Sequence, residues 1–156
     1  MGIGATLAFD AGGQVLKYAF QIPPSNICLI GRWVRTLPEG QLRHANIASS
    51  PPKRAECAVG WVAHYLIGIT LAIAFVVLAG DGWLQRPTPL PAIVFGVVTV
   101  LAPFVIMQPL FGLGFAASKT PNPGQARVRS LMNHTAFGVG LYVFAWLANW
   151  LTAVLA

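Results

Sequence analysis

The sequence predicts an all-α integral membrane protein, a four-helix bundle forming one polytopic domain over residues 1–156. Three observations predict it. The chain is 56% hydrophobic and only 9% charged, whereas a soluble domain carries roughly 25% charged residues. Its apolar residues gather into four blocks long enough to cross ~30 Å of hydrocarbon, which takes ~20 residues of helix. All the basic residues but Lys17 lie between those blocks rather than within them.

The first block runs from Met1 to Phe20 and is the most polar, with Asp10, Gln14 and Lys17 inside it. It has no basic start, and Asp10 breaks its apolar core, so it reads as a retained helix rather than a cleaved leader. The second runs from Ala58 to Gly80, the third from Leu90 to Ala117 and the fourth from Ser130 to Ala156. Pro103 and Pro109 predict a kink in the third, because proline lacks the N–H that a helix interior needs. None of the blocks alternates as a barrel strand would, and each far exceeds the ~10 residues of one.

The connections set an expected orientation. Residues 21–57 carry five basic and two acidic residues, and residues 118–129 carry Lys119, Arg127 and Arg129 with no acid. In a four-span chain these two connections share a side. Basic connections face the cytoplasm, so both termini are expected in the periplasm. Trp83, Trp146 and Trp150 would mark the outer interface, and Trp33 and Trp61 the inner one. Within the first connection, Ile27, Ile30, Val34 and Leu37 recur at helical spacing with Arg32 and Arg35 off that face, which predicts a short amphipathic helix on the inner leaflet. The net charge of +6 reads as affinity for anionic lipid headgroups rather than nucleic acid. Cys28 and Cys57, both on the expected cytoplasmic side, read as reduced thiols. With His44 they match no familiar zinc spacing.

Ionisable groups inside a bilayer call for a partner or a purpose. Counted from the expected cytoplasmic end at ~1.5 Å per residue, His64 lies about 9 Å deep, His134 about 8 Å, Gln108 about 14 Å and Asp10 about 15 Å. Each block thus supplies one polar group to the same half. The spacings Gly60/His64/Gly68, Ser130/His134/Gly138, Phe104/Gln108/Gly112 and Thr6/Asp10/Gln14 put these groups on faces with small residues, where helices pack closely. The His-x-x-x-Gly pattern shared by blocks two and four hints at two related hairpins.

Three readings of the cluster compete. It fixes the bundle's register through hydrogen bonds between helices. It is a proton or substrate pocket of Asp10, His64, Gln108 and His134, suited to relay because histidine titrates near neutrality. Or His64 and His134 hold a metal or haem. Lys119, Arg127 and Arg129 form a candidate collar for an anion or lipid headgroup at the start of the fourth helix. Gly112-x-Gly114-x-x-Ala117 lacks the strand and the acidic residue of a dinucleotide site, and reads as helix-packing glycine.

Several runs are similar to a known family. They are Gly2-Ile-Gly-Ala-Thr-Leu-Ala-Phe-Asp10, Gly31-Arg32-Trp33, Gly60-Trp61-x-x-His64-Tyr65, Met107-Gln108-Pro109, Gly112-x-Gly114-x-Ala-Ala-Ser118-x-Thr120-Pro121-x-Pro123 and Ala126-Arg127-x-Arg129-Ser130-Leu131-x-x-His134. Together they resemble domain-of-unknown-function family 2938 over nearly the whole chain. The resemblance implies a small four-helix protein of the bacterial inner membrane and supplies no activity. The functional expectation is a small transport or proton-linked permease component, working with lipids and with a second copy or a membrane partner. The alternative is a non-catalytic scaffold or accessory subunit, and an embedded enzyme ranks third.

Overall fold

A computed structural model describes residues 1–155, and these are all-α with no strand. Helix α1 spans Gly2–Phe20 and α2 spans Cys28–Thr36. Helix α3 spans Glu56–Ala79, and the short α4 spans Asp81–Gln85. Helix α5 spans Pro89–Thr99, followed by a π-helical turn over Ala102–Met107 and by α6 over Gln108–Leu110. Helix α7 spans Pro123–Leu155. The last residue of the fourth expected block, Ala156, lies outside the described residues.

Three helices are long and apolar enough to cross a membrane: Glu56–Ala79, Pro89–Leu110 and Pro123–Leu155. The expectation of four is corrected here. Helix α1 is 19 residues long, but Asp10, Gln14, Lys17 and four glycines leave it outside that class. The bundle also contains short helices that a four-helix description omits. The third block ends as a span at Leu110 rather than Ala117, and α7 begins seven residues before Ser130.

Long helix α7 packs against α1 on one side and α5 on the other, and α1 packs against α3. Helices α3 and α5 touch only sparsely. At one end they are bridged by aromatic rings. Phe75 of α3 meets Trp83 edge-on at 4.6 Å and Phe95 of α5 at 5.1 Å. Trp83 is 8% exposed and donates Nε1–H to the Thr88 carbonyl. It is therefore a core residue, not the interface marker expected: α4 folds its ring inward over the bundle end.

The opposite end carries the two long connections, folded together as a cap. His44 N–H bonds to the Leu110 carbonyl at 2.8 Å, and Ile47 N–H to that of Phe111 at 2.9 Å. Ile47 is fully buried beneath them. Gly112 and Gly114 have φ of +80° and +75°. They are turn glycines in the left-handed region rather than helix-packing ones, lying past the helix end at Leu110.

Helix α2 forms where its periodicity predicts, but of the two arginines on its polar face only Arg35 is exposed. Gly31 and Gly60 let α2 approach α3 so closely that a Cβ on either would overlap backbone of the other helix. Arg32 is consequently buried. Its Nε and Nη2 donate to the two Glu56 carboxylate oxygens at 2.8 and 2.7 Å, and Nη1 donates to the Ile47 and Ser50 carbonyls. The bonded carboxylate raises Arg32 above its already high value.

The same approach places Cys28 and Cys57 with Cα atoms 4.0 Å apart, joined as a disulfide. The expectation of reduced thiols is corrected, since pairing across 29 residues depends on a helix contact that spacing does not reveal. It also removes any metal shared by Cys28, His44 and Cys57. The His44 ring bonds instead to the hydroxyls of Thr36 and Ser50.

Candidate functional site

Two cavities lie in the half of the bundle beneath the cap. The first, of about 220 Å³, is lined from all the long helices, including Phe9, His64, Thr99, Gln108, Arg129 and His134. The second, of about 250 Å³, is lined by Asp10, Gln14, Trp61 and Asn133 among others. Phe9 and residues 25–27 line both. Three of the four polar residues singled out by depth therefore share one cavity, and Asp10 faces its neighbour.

Asp10 and His64 connect the two. His64 Nε2 lies 2.9 Å from Asp10 Oδ1, and the Tyr65 hydroxyl donates to Asp10 Oδ2 at 3.2 Å. A carboxylate accepts and does not donate when ionised, so His64 presents Nε2–H to it. One face of the pair thus belongs to each cavity. Helix positions explain the contact. Thr6 sits one turn from Asp10 and meets Gly68, which sits one turn from His64. Without a side chain at Gly68, α1 comes close enough for the short aspartate to reach across.

His134 is held in a matching way. Its Nδ1 lies 2.8 Å from Thr99 Oγ1, while that hydroxyl donates its single hydrogen to the Gly96 carbonyl at 2.6 Å. The hydroxyl therefore accepts from His134 Nδ1–H, leaving Nε2 as an acceptor. Close packing again sets this up: a Cβ on Gly96 would come within 2.6 Å of the Gly138 Cα and the His134 carbonyl. Pro103, four residues past Thr99, lacks the N–H that would bond the Thr99 carbonyl. The helix widens there, and Gln108 N–H bonds to the Pro103 carbonyl five residues back. Such π-turns recur at functional sites.

Phe9 packs edge-on against both histidine rings, with centroids 5.3 Å away in each case. The two rings flank a phenyl group. The described residues contain no group of three side chains placed to hold a metal ion. Of the basic collar, only Arg129 reaches a cavity. Lys119 is exposed, and Arg127 donates to the Ala116 carbonyl at 2.8 Å. Arg129 gives Nη1–H to the Pro23 carbonyl, tying α7 to the first connection.

Three buried polar atoms have no hydrogen-bond partner among the described residues: Gln108 Oε1, Arg129 Nε and Asn133 Oδ1. Such atoms are uncommon in native structures and ask for an explanation. Here all three belong to residues that line the cavities. Sequence reasoning passed over Asn133, Tyr65 and Thr99. The depth count that selected His134 would have selected Asn133 beside it. Thr99 gives no such signal, since threonine commonly bonds to its own helix.

A family model described as protein of unknown function (DUF2938) matches residues 1–148. The chain belongs to this family. For DUF2938 no activity comes with membership, and the match confirms the resemblance without adding a role to any residue. No curated protein matches the chain, and no solved structure does.

Proposed function

We propose that this DUF2938 member is a membrane-integral component of proton-linked transport, in which Asp10 and His64 pass protons between the two cavities and His134 and Gln108 contact the substrate. The observation that carries the reading is the Asp10–His64 hydrogen bond, with Asp10 on one cavity and His64 on the other. A carboxylate can take up a proton from one side. Histidine can bind a proton at one ring nitrogen and release one from the other, and it changes charge near neutral pH. The cavity on the His64 side also contains partnerless buried polar atoms, which suit a site that fills and empties.

The test is proton flux in liposomes containing the purified protein, compared at equal folded amounts. Asp10→Asn and His64→Gln keep shape and hydrogen bonding but cannot titrate as the native groups do. Both are expected to abolish pH-dependent flux between about pH 5 and 8. Flux equal to wild type in both would sink the relay and leave a scaffold, in which the same bond only holds α1 to α3.

Orientation belongs to the same reading. The basic connections put the cap in the cytoplasm of a bacterial inner membrane, with the opposite ends of α1, α3, α5 and α7 facing the periplasm. The Cys28–Cys57 disulfide argues the other way, since such bonds persist in oxidising compartments. Arg43→Cys, with both native cysteines replaced by serine, decides between them. The charge argument expects no labelling by an impermeant maleimide in intact cells. Rapid labelling there would reverse the orientation and place the disulfide where it is stable.

A further inference from the structure

We propose that the first cavity, the one lined by His64 and His134, binds an amphiphile with one apolar chain and an anionic head, a carboxylate or a phosphate, seated on Arg129 and Gln108. The proposal deepens the proposed function by naming its ligand class, and it rests on the cavity and Gln108 of that reading, not on the Asp10–His64 relay.

The charge inventory points to the anion. Arg129 lines the cavity with Nε buried and without a partner among the described residues. The residue is half-buried and its Nη1 contact to Pro23 is exposed, so its charge is partly desolvated on the cavity side, where an anion would be favoured. The chain has four carboxylates, and none serves Arg129. Asp10 bonds to His64 and Tyr65, Glu39 to Lys53 and Glu56 to Arg32. Asp81 begins α4 at the opposite end of the bundle. No side-chain carboxylate of the chain is paired with Arg129, so an anion for it would come from outside the chain. Guanidinium N–H donors suit carboxylate and phosphate oxygens. Gln108, whose side-chain oxygen is buried and unpaired, offers a second polar contact, and its amide can present either an acceptor or donors to a head.

The rest of the cavity points to the chain. Its walls include Ile30, Ile67, Leu71, Met107, Phe111 and Phe137, which offer nothing to a small hydrated ion. Apolar surface of this kind is filled favourably by hydrocarbon, at about 0.8 kcal/mol per buried methylene. Access fits as well. Both α3 and α5 line the cavity, yet they touch each other only sparsely, so their seam is a lateral route from a bilayer. At the far end that seam is shut by Phe75, Trp83 and Phe95, which leaves the head at the cap end, where Arg129 and Gln108 lie.

The experiment is fluorescence titration of the full-length protein in neutral maltoside micelles with cis-parinarate, a fluorescent fatty carboxylate. Saturable binding is expected, with displacement by hexadecyl phosphate and at least about tenfold weaker displacement by hexadecanol. Arg129→Gln should weaken parinarate at least about tenfold, the loss of one charge-assisted contact, and Arg129→Lys less. Because Arg129 also holds Pro23, a second variant leaves it in place: Ala102→Phe, at an exposed position on the cavity wall, should block binding while thermal unfolding stays near wild type. Asp10→Asn should bind as wild type does, so a failed flux experiment with intact binding would overturn the relay alone. Equal displacement by hexadecanol would remove the anion from the proposal. Displacement by inorganic phosphate would show a free-anion site. Absent binding, or wild-type binding by a folded Ala102→Phe protein, would overturn it outright.

Discussion

The hairpins α1–α3 and α5–α7 use one packing device for two kinds of chemistry. In each, a histidine near the cap end of the later helix bonds to a polar side chain of the earlier one, and a glycine one turn further along accepts its backbone or side chain. His64 and Gly68 meet Asp10 and Thr6. His134 and Gly138 meet Thr99 and the Ala92–Ile93 backbone. The shared His-x-x-x-Gly pattern thus marks a shared contact geometry. The partners differ. Asp10 is ionisable and Thr99 is not, so only the first hairpin can exchange charge at its histidine contact. The pocket's asymmetry therefore lies both in the partners from the earlier helices and in the ring nitrogen that meets them, Nε2 in His64 and Nδ1 in His134.

The linkers differ even more, and the largest predicted effect tests them. The first hairpin is closed by a long linker anchored through Arg32 on Glu56, with side chains 9% and 12% exposed. Removing one partner of such a pair strands the other charge, at a cost of about 3 kcal/mol. Arg32→Ala should lower stability by that amount. The corresponding truncation in the second linker, Arg127→Ala, loses one carbonyl contact near the surface and should cost under about 1 kcal/mol. Thermal unfolding in matched detergent measures both, and similar losses would erase the distinction.

The next test concerns close approach. At Gly96 an added methyl meets backbone, which cannot move aside, whereas at Gly68 it meets the Thr6 side chain. Gly96→Ala should therefore cost about 1–3 kcal/mol through overpacking. Gly68→Ala should lose a comparable amount, but Thr6→Ala in the same protein should recover most of it. Failure of that rescue would show that the first hairpin is held by backbone contact, as the second is.

The smallest effects separate the polar partners. Asp10→Ala leaves His64 and Tyr65 without their shared acceptor, and hydrogen bonds to charged groups are worth about 1.5–3 kcal/mol. Thr99→Val removes a neutral bond worth about 0.5–1.5 kcal/mol. Measured by chemical or thermal unfolding, the first loss should exceed the second. The reverse order would mean that the His134 contact carries the bundle and that Asp10 is dispensable to it.

What could be read without coordinates followed from periodicity and depth. Helix α2, the break after Pro103 and the gathering of His64, Gln108 and His134 in one half all come from residue spacing along single helices. What could not be read depended on distance between helices. The disulfide, the burial of Arg32 and the inward turn of Trp83 each require knowing that Gly31 meets Gly60 or that α4 folds back. Depth along the helix sets Asp10 near His64, yet depth alone does not say that Asp10 would line a separate cavity. The span count failed for a related reason: block length was legible, but the polar residues that α1 can tolerate depend on partners in other helices.

That dependence bears on how the protein is made. Helix α1 leaves the ribosome before α3 and α7 exist, carrying Asp10, Gln14 and Lys17 with nothing to bond them. A centrally placed aspartate alone opposes partition into a bilayer by about 2.5–3.5 kcal/mol. His64 and Tyr65, which accommodate it, are synthesised later. If the protein is membrane-integral as proposed, helix α1 depends on the segments that follow it, and its docking is expected once α3 and α7 are in place. The same carboxylate that meets His64 and Tyr65 in the finished bundle thus ties the settling of α1 to helices made after it.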